Sequence, residues 1–501
     1  MNPETQQKKP QEVELKLSLA YRDQDALVKM LKKSAPLARR KATHHNLLNV
    51  YYDTPDQDLR KKRIALRIRQ VDSDAGPVWI QTLKTGGASD SALSVRGEWE
   101  ETLQNNVLSL DALKGTPWSE IDPKGGIYKS LVPCFVTRFE RTSWRVQTKD
   151  HSVVEVALDI GQIESADRCT PICELELELK DGEPSSLFDL AQGIAANVAV
   201  VPASLSKAER GYALAQGTLD MPQRSRPPHL HKDQTLVEAG QQVLRETFFQ
   251  FTKNIDTLLL VDNPEVVHQA RVGWRRFKSA LRLFKPVLAL EGIPDTGSMT
   301  LLLDSLGQLR DLDVALTETL PLIAPIYTSD DLDRQLNWNR LVQSLEEAAQ
   351  NQRLNVRDAV RAPIVGTTLL RITRYIEELS PTDAAVTESK AWRLESWPEH
   401  RLQRLKRKLE HSIKVATDKE SQHRARILAK RLRYGVESMH TVLPHGLAKR
   451  WLKKAAALQG SIGMSRDFQR LYQLAVEFGA SAELVEFLRG YESAMDCKSD
   501  H

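Results

Sequence analysis

Apolar and polar positions alternate in short runs along the first two hundred residues. Residues 12–19, EVELKLSL, put Glu12, Glu14 and Lys16 on one side and Val13, Leu15 and Leu17 on the other, because successive strand side chains point to opposite faces. Similar β-rich or alternating runs occur near 46–53, 63–71, 77–84, 94–102, 134–147, 152–164 and 172–180. Turn-forming stretches such as DTPDQD, DSDAGP, KTGGASD, TKDH and KDGEP separate them. Short helices fit 23–34, 108–114 and 186–197. Many strands with few crossovers predict an antiparallel sheet or barrel.

Around 217–230 the periodicity is lost, with Pro222, Pro227 and Pro228 in a polar stretch that reads as a linker. Beyond it the spacing changes to 3.6, and segments rich in Leu, Ala, Arg, Glu and Gln continue to 495, which predicts an all-α half. The expected layout is a strand-rich domain over 1–216, a linker over 217–230, a helical domain over 231–495 and a tail over 496–501.

The helical half repeats itself. His268, Arg271, Arg275, Arg276 and Lys278 recur with the same spacing as His423, Arg426, Lys430, Arg431 and Arg433. Downstream, Leu306-Gly307 with Arg310-Asp311 is answered by Ile462-Gly463 with Arg466-Asp467. Two blocks in the same order predict two related helical bundles. At about 100° per residue, the His and the cations at +3, +7 and +10 fall within roughly 80° of one another. Apolar residues lie opposite, so each helix has one greasy and one cationic face. Two such faces make a basic groove suited to a polyanion. No aromatic residues interleave the stripe as stacking platforms for nucleic acid would.

Composition changes this picture little. At 501 residues the chain is long enough for two to four domains, and a net charge of +4 says less about partners than the local charge pattern does. The N-terminus is polar, and no apolar run approaches the ~18 residues of a membrane helix, so a cytoplasmic protein is expected. Cys134, Cys169, Cys173 and Cys497 are too sparse for a zinc site and read as buried free thiols.

The charged strand faces carry the chemistry. Arg67 and Arg69 share a face, as do Arg96, Glu98 and Glu100, then Glu155 and Asp159, then Glu174, Glu176 and Glu178. A half-exposed sheet also alternates, but its outer face usually mixes Thr, Ser, Gln and Lys. Turned inward in a closed barrel, these faces would line a polar tunnel whose buried charges need compensation. An anionic phosphoryl ligand with a divalent metal supplies it, since Arg and Lys bind phosphoryl oxygens and carboxylates bind Mg²⁺ or Mn²⁺.

Glu12-x-Glu14-x-Lys16 resembles the ExExK signature of the CYTH superfamily, the triphosphate tunnel metalloenzymes. Tyr51-Tyr52-Asp53-Thr54, Leu66-Arg67-Ile68-Arg69, Thr82-Leu83-Lys84, Arg96-x-Glu98, the 155–159 and 174–178 runs and Ser206–Gly211 agree in order. The likeness covers about 10–215, and about 230–495 resembles the CHAD domain. Together the layout is similar to bacterial CYTH–CHAD inorganic triphosphatases. The fold class expected is α+β: an eight-stranded antiparallel tunnel followed by a duplicated helical domain.

The resemblance implies Glu12, Glu14, Lys16 and Lys84 as catalytic residues. It implies Lys16, Arg67, Arg69, Lys84, Arg96, Arg138, Arg141 and Lys207 as substrate-binding residues. Glu12, Glu14 and members of the set Glu174, Glu176 and Glu178 would hold Mg²⁺ or Mn²⁺. Glu98, Glu100, Glu155 and Asp159 would complete an acidic wall, and Asp53 either joins the site or fixes a turn. The substrate implied is inorganic tripolyphosphate, cleaved to diphosphate and phosphate, with inorganic polyphosphate on the helical half at His268, Arg271, Arg275, Arg276, Lys278, His423, Arg426, Lys430, Arg431 and Arg433. The alternatives are a class IV-type adenylate cyclase, a thiamine or nucleoside triphosphatase, and a non-catalytic polyphosphate scaffold. Neither a nucleic-acid nor a membrane partner is expected.

Overall fold

The computed structural model describes residues 11–499 except 20, 22, 73–75, 87–90, 289–292, 330, 380–393, 395 and 416–417. Side chains around Ile462 and Gly463 and that of Cys497 lie outside the described residues. The chain divides into two units. Unit 1 runs to Met221 and takes in Arg361–Glu377; unit 2 comprises Pro222–Val360 and the chain from Glu378 onward.

The strands are β1 (Gln11–Leu19), β2 (Ala42–Asp53), β3 (Ile64–Val71), β4 (Val78–Thr85), β5 (Leu93–Leu103), β6 (Val132–Gln147), β7 (Val153–Ser165), β8 (Arg168–Asp181) and the short β9 (Val200–Pro202). The helices among them are α1 (Gln24–Lys33), α2 (Asp58–Lys61), α3 (Trp118–Ile121), α4 (Gly126–Lys129), α5 (Ser185–Ala195) and α6 (Lys207–Ala215). Then follow α7 (Leu236–Leu258), α8 (Pro264–Phe284), α9 (Thr300–Val314), α10 (Leu320–Thr328), α11 (Leu332–Val360), α12 (Pro363–Glu377), α13 (Trp397–Lys414), α14 (Lys419–Ser438), α15 (His445–Glu477) and α16 (Ala482–Ser499).

Strands β1 to β8 close into an antiparallel barrel, in the order β5-β4-β3-β2-β6-β7-β8-β1 with β5 returning to β1. One edge of β1 is shared: residues 11–15 pair with β5, and 17–19 pair with β9. Closure removes the exposed edges that an open sheet would leave. It also explains the alternation. Outward Leu15, Leu17, Val154, Val156, Leu158, Leu175 and Leu177 pack beneath Leu27 and Leu31 of α1 and Leu187, Phe188 and Ile194 of α5. The charged residues between them face the lumen. Register then opposes Glu12 to Arg96, Lys16 to Glu176, Lys84 to Glu98 and Arg141 to Asp159, cross-strand pairs of opposite sign. At Gly161, opposite Phe139, a Cβ would come 2.1 Å from the Arg138 carbonyl oxygen, so only glycine fits.

Helix α12 belongs to unit 1 although about 140 residues separate it from the rest of that unit. Leu370 is fully buried in the core under α5, the Gln192 side-chain amide donates to the Thr367 carbonyl at 3.0 Å, and Arg374 pairs with Asp189 at 2.5 Å. Gly366 lies against Val200 of β9, which itself pairs with the site-bearing β1. Leu370→Ala is expected to cost unit 1 about 2–5 kcal/mol. An earlier thermal transition of the full chain would report it, with faster hydrogen exchange in α5 and β9; unchanged exchange there would contradict this packing role.

Unit 2 is helical. Thr235 and Glu238 form a reciprocal capping box at the start of α7, and Asn263 caps α8 ahead of Pro264. The apolar faces of α7 and α8 meet through Phe248, Phe251, Trp274 and Phe277, with ring centroids 5.0–6.3 Å apart. Among the described residues no helix is long and apolar enough to cross a membrane. Cys134, Cys169 and Cys173 are free; Cys169, expected to be buried, is exposed because it lies near the β7–β8 turn.

Candidate functional site

The lumen of the barrel gathers two carboxylate groups. In one, oxygens of Glu12, Glu98 and Glu178 all lie within 4.8 Å of one another. Lys84 stands between two of them, 2.9 Å from Glu12 and 2.8 Å from Glu98. Arg96 spans from Glu12, at 2.7 Å through Nε, to Glu14, at 2.7 Å through Nη2. Burial pushes the Glu12 carboxyl up, but the Lys84 ammonium and Arg96 guanidinium outweigh it and hold the group well below the usual carboxylate range. Glu14 goes the other way: burial, with the Glu176 charge beside it, raises its pKa despite Lys16 and Arg96.

The second group is Asp159, Glu174 and Glu176, again with oxygens within 4.8 Å. Lys207 of α6 contacts all three, at 2.6 Å for Asp159 and 2.8 Å for Glu176, with Glu174 closer still. Arg141 binds Asp159 through two nitrogens, at 2.7 and 2.6 Å, and Glu176 at 2.5 Å. Lys16 reaches Glu176 at 3.1 Å and Glu14 at 3.5 Å. Arg210, one helical turn beyond Lys207, pairs with Glu174 at 3.1 Å. The i, i+3 spacing on α6 puts both cations on one face, a signal the sequence carried but the expected site omitted.

Both sets are all-oxygen and suit a hard divalent cation. The Glu12, Glu98 and Glu178 group fits better. Among the described residues its Glu178 forms an ion pair with Lys180 alone, at 2.5 Å, and burial raises that carboxyl. The second group is already neutralised by Lys207, Arg141 and Arg210. The five carboxylates expected to hold metal therefore divide. Glu12 and Glu178 join Glu98, Glu174 and Glu176 join Asp159, and Glu14 is in neither triad.

Arg67, 7% exposed, has Glu98 and Glu100 no nearer than 3.7 Å, and its Nε meets no hydrogen-bond partner among the described residues. Arg69 donates to Asn49 at 2.9 Å. Arg138 is not brought to the lumen. It stands three positions before Arg141, hence on the opposite strand face; its side chain is 61% exposed, with Glu164 at 3.9 Å. Asp53 fixes a turn. Fully buried, it accepts from the Thr54 and Leu59 amides at 2.7 and 2.9 Å, the Arg60 amide at 3.0 Å and the Tyr212 hydroxyl at 2.8 Å.

In unit 2 the ten expected groove residues separate. Arg271, Arg275, Arg426 and Lys430 crowd together, and the downstream repeat adds Arg310 and Arg466. Burial and the neighbouring Arg275, Arg426, Arg466 and Arg271 push Lys430 down to about 8. Burial and Arg310 lower His268, whereas His423 is exposed. Arg310 pairs at 2.6 Å with Glu318, which lies in a single π-helical turn, 315–319, between α9 and α10. Arg276 is elsewhere: 3% exposed, it bonds Glu437 at 2.6 Å with Glu246 at 3.6 Å, in the helix interior. Arg433 is also taken by Glu437, at 2.7 Å. Lys278 donates to Thr296 at 3.1 Å, and Arg431 lies near Arg282.

Comparison with known proteins bears on both units. The CYTH domain model matches residues 10–212, and the CHAD domain model matches 242–475. The inorganic triphosphatase of Haemophilus influenzae (strain ATCC 51907 / DSM 11121 / KW20 / Rd) is 36% identical over 208 residues, 41% of this chain and 55% of that protein. The chain thus spans about half the length of the curated relative it matches. Among solved structures, the CHAD domain from the plant Ricinus communis is 27% identical, with a TM-score of 0.45, over 55% of this chain and 92% of that one. HpAC1 from Hippeastrum, a candidate adenylyl cyclase described as having a dominant triphosphatase activity, is 19% identical with a TM-score of 0.29, over 40% of this chain and 95% of that one. The chain therefore carries a CYTH domain followed by a CHAD domain.

Proposed function

We propose that unit 1 is a metal-dependent inorganic triphosphatase, which cleaves tripolyphosphate to diphosphate and phosphate, and that unit 2 binds inorganic polyphosphate. The observation that carries the first reading is the Glu12, Glu98 and Glu178 group beside Lys84 and Arg96 inside a closed barrel. The name of the Haemophilus relative supports it. Cleaving a phosphoanhydride needs positioning and charge neutralisation more than covalent chemistry. Lys16, Arg67, Arg69, Lys84, Arg96, Arg141 and Lys207 hold phosphoryl oxygens, while Glu12, Glu98 and Glu178 hold Mg²⁺ or Mn²⁺, with Glu14 balancing Lys16 and Arg96. The bound metal supplies polarisation of phosphoryl oxygen and water. The free thiols suit a reducing cytoplasm.

A substrate panel with either metal tests the reading. Phosphate release from tripolyphosphate should exceed that from ATP, thiamine triphosphate and long-chain polyphosphate. Cyclic AMP from ATP, or no turnover of any substrate, would overturn it.

A further inference from the structure

Most cations inside the barrel are closely matched, and among the described residues Arg69 stands apart. Lys16, Lys84, Arg96, Arg141, Lys207 and Arg210 each lie within 3.1 Å of a carboxylate oxygen. Arg67 has its nearest carboxylates at 3.7 Å. Arg69 forms no ion pair within 4.0 Å among the described residues, and the one side-chain acceptor it meets is a neutral amide, Asn49 Oδ1, at 2.9 Å. That amide is fully buried and fixed from both sides. Register opposes Asn49 to Arg69 on β3 and to Thr137 on β6, and its Nδ2 donates to the Thr137 hydroxyl at 2.9 Å.

Arg69 is half-buried, and a guanidinium drawn away from water normally takes a carboxylate, because an uncompensated charge there is costly. Here burial and the Arg67 and Arg141 guanidiniums push Arg69 down to about 10. An amide acceptor orients the guanidinium through Nε without cancelling its charge, and leaves the Nη nitrogens for a bidentate anion. We propose that Asn49 is a positioning residue that presents Arg69 as an unneutralised cation to a phosphoryl group. This deepens the triphosphatase reading and rests on it for the identity of the anion.

Asn49→Asp tests it in the full chain. The carboxylate is isosteric, keeps the Arg69 contact, and can accept from Thr137 once that hydroxyl rotates. Only the charge on Arg69 is quenched. Calorimetry with tripolyphosphate should show Kd raised at least about tenfold, the effect of roughly one lost charge interaction, and KM should rise more than kcat falls. In an Arg69→Gln background the same Asp should change Kd less than threefold, which a merely structural role for Asn49 does not predict. A folded Asn49→Asp chain with Kd within threefold of wild type overturns the proposal. Should that chain not fold, Arg69→Lys carries the test. It keeps the charge but loses the Nε contact, and Kd within threefold again overturns the proposal. A wild-type chain that binds tripolyphosphate but does not cleave it ends the triphosphatase reading and leaves the binding comparison valid.

Discussion

Glu12→Gln is expected to cut metal-dependent phosphate release from tripolyphosphate by at least about a hundredfold, since even residues that only orient metal ligands are worth about 10–100-fold. The fold should survive. Glu12 is 8% exposed and holds Lys84 and Arg96, yet neither cation is orphaned by the change. Lys84 keeps Glu98 at 2.8 Å, and Arg96 keeps Glu14 at 2.7 Å. Gln also leaves an amide oxygen to accept from both, so a stability loss of about 1–3 kcal/mol is expected rather than unfolding. The metal concentration for half-maximal rate should rise with the loss of rate. Glu140→Gln is the control, because that side chain is 61% exposed on the outer face of β6 and should turn over normally. A folded Glu12→Gln chain with wild-type turnover would remove Glu12 from the metal site.

The barrel was legible because a polar lumen preserves strict alternation along every strand. The run EVELKLSL and the Glu174, Glu176, Glu178 strand both show it, with opposite faces separately apolar and charged. Arg138 was misplaced against the same rule, since three residues from Arg141 is always the other face. Arg310 and Arg466 were visible as a repeat, but their place in the cationic cluster came only with packing. Other features left no readable signal. β9 is three residues long, too short for a period. α12 has an ordinary amphipathic pattern, and amphipathicity does not say which core a helix joins. Asn49 looks like one more polar strand residue until register sets it between Arg69 and Thr137. The partition of cations on α8 and α14 depended on where Glu246 and Glu437 fall, which helical spacing alone does not give.

That partition makes the second large prediction. Arg271→Glu with Arg426→Glu, one reversal in each repeat, should weaken retention of long-chain polyphosphate by at least about a hundredfold at moderate salt, about 2.7 kcal/mol. The two sites belong to the crowd of Arg275, Arg310, Lys430 and Arg466, whose mutual repulsion a polyanion relieves. Arg276→Met should behave differently. Its charge is spent on Glu437 and Glu246, so its removal withdraws a buried cation from two carboxylates and lowers stability while polyphosphate retention holds. Lys430 adds a pH signature. With its pKa pushed down to about 8, it loses its charge as pH rises from 7 to 9, so affinity should fall about threefold to tenfold over that range. Binding near pH 8 should take up protons, seen as a dependence of calorimetric heat on buffer ionisation enthalpy. In the ligand-free chain the sign reverses: between about 8 and the ordinary lysine value the unfolded state holds more protons, so this group's contribution to stability grows with pH. Lys430→Met should flatten the affinity profile between pH 7 and 9. A profile as steep as wild type in that variant would assign the titration to another group, and full retention by the double reversal would place polyphosphate off this face altogether.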